Sequence, residues 1–143
     1  MNAGMALGAT RATDLEAMHA AALHEDGRIV LVAEIDGDVV AMAHVAPSGA
    51  ANAPHRAEVQ RVAVAARARG EGVGRELMSA AEAAAREHGL TLLWLTTHDE
   101  SDACAFYEAV GYTKLGVMPA YSSRPDGTLS PAAFYYKDLR RSS

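Results

Sequence analysis

At 143 residues, with 50% hydrophobic and 22% charged residues, the chain has the size and composition of one globular domain with room for a core. Its formal net charge of -5 argues against a general affinity for nucleic acid or an anionic membrane, because clustered Lys and Arg drive such binding. The lone Cys104 excludes an internal disulfide and suggests no Cys-based metal site, and no apolar run approaches the about 20 residues of a membrane span, so a cytoplasmic protein is expected.

Along the chain, Ala12 to His24 carries Leu15, Met18, Ala22 and Leu23 at helical spacing, with Thr13 or Asp14 as a cap, and reads as a short first helix. Arg28 to Ile35 and Val39 to Val45 are β-branched runs, and Asp36-Gly37-Asp38 between them is a hairpin signal. After a small-residue loop from Pro47 to Pro54 comes a strand over Ala57 to Val64. Strict alternation there puts Glu58, Gln60, Val62 and Val64 on one face and Val59, Arg61 and Ala63 on the other.

An amphipathic helix is expected from Val73 to Glu87, with Val73, Leu77, Met78, Ala81, Ala84 and Ala85 as its apolar stripe and Gly89 as its stop. Leu90 to Thr96 reads as a strand buried on both faces. Ser101 caps a helix from Asp102 to Val110 that Gly111 ends. Strands over Tyr112 to Met118 and Ala132 to Leu139 flank a turn at Arg124-Pro125-Asp126-Gly127. No linker or repeat interrupts residues 1–143, so a single domain is expected, an α/β (α+β) fold with helices on the faces of a sheet.

The segment richest in chemistry is Arg69-Gly70-Glu71-Gly72-Val73-Gly74, set between a β-branched strand and the main helix. Three glycines at alternate positions allow positive φ and close approach to a ligand, and the first helical turn offers unpaired amides and a positive dipole end to an anion. The glycines alone fit either a phosphate cradle or a tight turn. A Walker A loop is excluded because Arg75-Glu76 stands where Lys-Ser/Thr is required. The dinucleotide fingerprint fails too, since it needs Gly at Arg75 and normally opens a βαβ unit. Arg67, Arg69 and Arg75 flank the loop and suit a small polyanion better than a duplex.

Arg69-x-x-Gly72-x-Gly74 after an antiparallel strand, followed by Phe106-Tyr107-Glu108-Ala109-Val110-Gly111-Tyr112, resembles the GNAT superfamily of acetyl-CoA-dependent N-acetyltransferases. The likeness runs from about residue 28 to the C-terminus. Within it, Arg56-Ala57-Glu58-Val59-Gln60, Arg67-Ala68-Arg69-Gly70 and the tail from Pro125-Asp126-Gly127 to Phe134-Tyr135-Tyr136-Lys137 are similar to the tabtoxin-resistance type, which acetylates a small amino-acid-like toxin. The resemblance implies a mixed, mostly antiparallel sheet with helices on both faces, and acetyl-CoA as donor with no metal. It implies that backbone groups of Val62, Ala63 and Val64 hold the pantetheine, and that amides of Arg69, Gly70, Glu71, Gly72, Val73, Gly74 and Arg75 hold the pyrophosphate. The helix from Asp102 to Tyr107 would lie along the cofactor, with Glu100 and Ala103 at its start.

Acetyl transfer to an amine needs a neutral nucleophile, an oxyanion contact and a proton for the departing thiolate. An alkylamine with a pKa of about 10 is mostly protonated at neutral pH, so something must take its proton. Counted back from Gly72, Glu58 occupies the position where the histone-acetylating members carry their glutamate base; the competing reading is a strand glutamate facing solvent or paired with Arg56 or Arg61. His55 and His98 are the other candidate bases. Tyr107 matches the tyrosine that in many members protonates coenzyme A, the competing role being core packing beside Phe106. A backbone amide near Val62 would meet the oxyanion. Cys104 and Trp94 read as core, and Tyr121, Tyr135 and Tyr136 as either pocket lining or edge-strand packing.

The chain departs from the family pattern in three places. Thr96 stands where the tabtoxin-resistance proteins carry an aspartate, Glu100 where many members carry an asparagine, and about thirty residues precede the first clear strand, so the expectation is either an abbreviated amino-terminal lid with a more open acceptor site or a site completed by a partner subunit. The expected function is acetyl transfer to a primary amine of a small molecule by direct attack in a ternary complex, with a homodimer as the expected assembly. The alternatives are a non-catalytic acetyl-CoA-binding module and a protein lysine acetyltransferase.

Overall fold

In the computed structural model, which describes residues 17–23, 27–70 and 72–141, the chain divides between Leu90 and Thr91 into two units. The first unit contains β1 (Ala17–Leu23), β2 (Ile29–Ile35), β3 (Asp38–Pro47), β4 (Arg56–Val64) and α1 (Val73–Glu87). Its four strands pair antiparallel in chain order. Asp36 (φ 53°) and Gly37 (φ 80°) make the two-residue turn between β2 and β3. Two successive positive φ values match the right-handed twist of the flanking strands, which is why Asp-Gly serves there.

β1 corrects the helix expected over Ala12 to His24, of which residues 12–16 and 24 lie outside the described residues. Met18 pairs with Ala33 and Leu23 with Ile29, so the segment is a strand. An isolated helix of that length is marginal in water, whereas the free edge of β2 offers a full row of backbone partners. The first strand therefore begins at Ala17 and not near residue 28.

The core of this unit lies where the apolar stripe of α1 packs on β2 and β3, with β4 continuing the same buried face beside β3. Val73, Leu77, Ala81 and Ala85 are fully buried, as are Ala33, Ala43, Val45 and Ala57. α1 ends as its sequence dictates. Gly89 takes φ 76° and donates to Arg86 O, and Leu90 N reaches back to Ala85 O, the paired bonds of a Schellman cap.

The second unit contains β5 (Leu92–His98), α2 (Asp102–Ala109), β6 (Thr113–Ser123) and β7 (Leu129–Asp138), with β7 antiparallel to both β5 and β6. α2 lies on β5 and β6. Leu93, Ala133 and Tyr135 are fully buried, with Leu95 nearly so. Alternation rather than uniform burial marks β5. Leu93 and Leu95 face inward while Leu92, Trp94 and Thr96 are half-buried, so the strand is not covered on both faces as expected. Trp94 stacks on Phe134 with centroids 6.0 Å apart, and Tyr121 meets Phe134 edge-on at 5.5 Å.

The β6–β7 hairpin is longer than its apolar pattern suggests, because both strands continue to the turn at Arg124 to Thr128. Asp126 Oδ1 accepts from Thr128 N at 2.9 Å and Thr128 Oγ1 at 2.7 Å, which fixes that turn. β6 is exposed over its whole length.

Candidate active site

β4 does not alternate strictly. His44 pairs with Gln60 and Met42 with Ala63, so Arg61 and Val62 together face the single residue Ala43, and Arg61 takes φ 54°. This is a β-bulge, and it resets the faces of the strand. Ala57, Val59, Val62 and Val64 share the core side, while Glu58, Gln60 and Ala63 lie on the other. The expected grouping of Glu58 with Val62 and Val64 is thereby corrected: a period of two holds only up to the extra residue.

Glu58 is half-buried, and its Oε1 accepts from Gln60 Nε2 at 2.9 Å. Neither arginine considered as a partner pairs with it. Arg56 donates to Ser48 Oγ at 3.2 Å, and Arg61 is exposed at the bulge. The carboxylate is held by an amide rather than by a cation among the described residues.

Beyond β4 the chain makes a 3-10 turn over Ala66–Ala68 and then enters the glycine loop. Arg69 ties the loop to the strand, its Nε donating to Val64 O at 2.9 Å and its backbone N–H to Ala66 O at 3.2 Å. Arg67 bonds Asp38, the first residue of β3, at 3.4 Å. Gly70 has φ 80° with open space around it, so its need is conformational. Gly72, at φ 90°, is the N-cap of α1, and Glu76 N donates to Gly72 O at 3.1 Å as the first helical bond. The amides of Val73, Gly74 and Arg75 precede any intrahelical acceptor, and a glycine cap has no side chain to satisfy them. No side chain caps the positive end of this 15-residue helix. Glu71 lies outside the described residues.

In the second unit Ser101 is the N-cap of α2, as its position suggests, but its hydroxyl turns back to donate to His98 O at 2.7 Å. Glu100 is exposed and holds φ 62°, and Ala103 is half-buried. Tyr107 is buried at 7% exposure, with ring centroids of Phe106 at 5.2 Å, Tyr112 at 6.0 Å and Tyr135 at 6.2 Å. Burial raises its phenol above the ordinary 10.0, so it keeps its proton at neutral pH.

Burial raises the thiol of Cys104, one turn earlier, but hydrogen bonds at the start of α2, Ser101 among their partners, outweigh that and lower it below 9.0. Tyr135 is buried on the α2 side of β7, whereas Phe134 and Tyr121 meet on the other side, so Tyr121 and Tyr135 do not line one pocket. Among the described residues no group of three His, Cys, Asp or Glu converges as a metal site, and no helix is long and apolar enough to cross a membrane.

The sequence profile of the acetyltransferase (GNAT) family matches residues 6–112. The chain belongs to the GNAT family. A solved structure of a ribosomal-protein-alanine N-acetyltransferase from Brucella melitensis is 30% identical, with a TM-score of 0.72 over 80% of this chain and 70% of that one. A Salmonella typhimurium protein solved with its cofactor acetyl-CoA superposes with a TM-score of 0.71 over 82% of this chain and 68% of that one, at 24% identity. The Mus musculus protein N-alpha-acetyltransferase 80 is 42% identical over 73 residues, which is 51% of this chain and 22% of that protein. This chain thus spans about a fifth of that relative's length. Its fold is the GNAT fold, and the family is one of acyltransferases.

Proposed function

We propose that residues 1–143 form one N-acetyltransferase domain, acting in the cytoplasm, that transfers the acetyl group of acetyl-CoA to a primary amine of a small, amino-acid-like or antibiotic-like molecule. The observation that carries the donor half is the glycine-capped start of α1, three first-turn amides without a capping side chain, in a chain that the GNAT profile matches over residues 6–112. Those amides, with Gly70, Gly72 and the flanking Arg69 and Arg75, take the pyrophosphate. The backbone of Val62, Ala63 and Val64, turned by the bulge at Arg61, takes the pantetheine.

Each step follows from a named group. Glu58 first takes one proton from the ammonium form of the amine, the freed lone pair attacks the acetyl carbonyl carbon, and the second N–H proton leaves to water as the C–S bond breaks. A backbone amide near Val62 meets the oxyanion. The intermediate collapses, the C–S bond breaks with its electron pair going to sulfur, and the phenol of Tyr107 gives that sulfur its proton. A thiol with a pKa of about 8.5 is a moderate leaving group, and a phenol kept neutral by burial remains charged with a proton to give.

The tabtoxin-resistance likeness favours an amino-acid-like acceptor, but Thr96 cannot serve as that subgroup's carboxylate. A second reading has its own support: the Brucella melitensis and Mus musculus relatives carry names that denote acetylation of an α-amine, which favours a peptide N-terminus as acceptor. Thiol release from acetyl-CoA separates the readings across amino acids, polyamines, amine-bearing antibiotics and short peptides with a free α-amine. Turnover with a small amine supports the first reading, and turnover with peptides alone moves the conclusion to the second. Tight acetyl-CoA binding without release would mark a non-catalytic module, and absence of both would overturn the donor assignment.

A further inference from the structure

β7 presents Tyr135 and Lys137 two positions apart, so both side chains leave the same face of the strand. Both reach α2 and its end. The hydroxyl of fully buried Tyr135 donates to Glu108 Oε2 at 2.7 Å. The ammonium of Lys137 donates to Val110 O at 3.0 Å and lies 5.6 Å from the centroid of the Tyr112 ring.

These anchors close around one residue. Glu108 follows Tyr107 directly, the Tyr107 carbonyl accepts from Tyr112 N at 2.9 Å, and the Tyr107 ring is flanked by Tyr135 at 6.2 Å and Tyr112 at 6.0 Å. Gly111 keeps the arrangement open, since a Cβ there would stand 3.1 Å from Lys137 Nζ. For packing alone a phenylalanine at position 135 would do, and it would avoid burying a hydroxyl. Glu108 is exposed and has no need of the bond for its own solvation. The hydroxyl therefore fixes α2 rather than satisfying its partner.

We propose that Tyr135, through its hydrogen bond to Glu108 and with Lys137 fastening the helix end, is a positioning residue that holds Tyr107 where its phenol meets the coenzyme A sulfur. The proposal rests on the reading of Tyr107 as the proton donor. Displacement of a reacting group by about 1 Å costs up to about a hundredfold in rate, so a loosened helix lowers kcat while leaving the donor site intact.

The test is thiol release from acetyl-CoA, with the best amine of the panel and without amine as hydrolysis, for Tyr135→Phe, Tyr107→Phe and the double variant. Tyr135→Phe should lower kcat about tenfold with KM for acetyl-CoA unchanged, and should cost nothing further in the Tyr107→Phe background. Glu108→Gln, whose amide oxygen still accepts from Tyr135, should keep most of the activity, and Glu108→Ala should match Tyr135→Phe. Thermal melts confirm that each variant is folded, and all of these changes are conservative or exposed. An equal loss in both backgrounds, or unchanged kcat in Tyr135→Phe, overturns the positioning role while leaving Tyr107 in place. Unchanged turnover in Tyr107→Phe, or no thiol release under either condition, overturns the proton-donor reading and the positioning role with it.

Discussion

Glu58 is the residue on which the proposed chemistry most depends, and its surroundings decide what a substitution will show. Its carboxylate has one amide neighbour, Gln60, and no cationic partner among the described residues, so Glu58→Gln removes the basic oxygen without stranding a charge. Side-chain proton transfer contributes about 10²- to 10⁴-fold, so turnover should fall by that order while acetyl-CoA affinity, measured by calorimetry, stays within about twofold. Unchanged turnover would dismiss Glu58 as the base. Glu100 makes a different point: at φ 62° it occupies the left-handed region, which Asn tolerates far better than Glu. The asparagine that many family members carry there therefore matches the backbone as well as the cofactor. Glu100→Asn should raise thermal stability by about 0.5–1 kcal/mol, and a drop in Tm would contradict that account.

At the scale of elements, both helices end in the same device, and the glycines that make it were plain in the sequence. Gly111 at φ 101° donates to Glu108 O while Tyr112 N reaches Tyr107 O, repeating the bonds at Gly89 and Leu90. Gly111→Ala combines a left-handed non-glycine residue with a Cβ pressed against Lys137 Nζ, so it should destabilise by about 1–2 kcal/mol in chemical unfolding. A change below about 0.3 kcal/mol would contradict both the backbone strain and the Lys137 contact. Legibility followed physical cause. The bounds of α1 matched those read from its stripe because both ends carry glycine signals and its apolar face has a clean helical period. The bulge in β4 was hidden because Arg61, not glycine, takes the positive φ, and β1 was misread because short Ala-rich segments satisfy either period until a neighbouring strand edge decides. The glycine cap that opens α1 was legible as a local run. The ties from Tyr135 and Lys137 to α2 were not, since they span 27 residues and leave no spacing pattern.

For the molecule as a whole, three buried or partly buried titrating groups give folding stability a definite shape on the alkaline side. Burial, joined for Tyr135 by its bond to Glu108, raises both Tyr107 and Tyr135 above the ordinary phenol value of 10.0. Below that value both phenols are protonated in the folded and the unfolded chain and stability is undiminished. As pH rises past it the unfolded chain gives up these protons first, so stability falls until the folded values are reached. Cys104 has the opposite sign: its thiol is lowered from 9.0, so its contribution is present above that value and is lost as pH falls through the folded value. The melting temperature should therefore hold or rise slightly towards about pH 9 and decline above about pH 10. Tyr135→Phe isolates the phenol term. At pH 8 it should be less stable than the parent by about 1 kcal/mol for the lost hydrogen bond, and the gap should narrow as pH passes 10 because the variant has one raised phenol fewer to ionise. Melts of the two proteins between pH 8 and 11 measure that gap directly. A gap that stays constant or widens above pH 10 would show that the Tyr135 hydroxyl ionises at least as readily in the folded chain as in the unfolded one, which its complete burial and its carboxylate neighbour oppose.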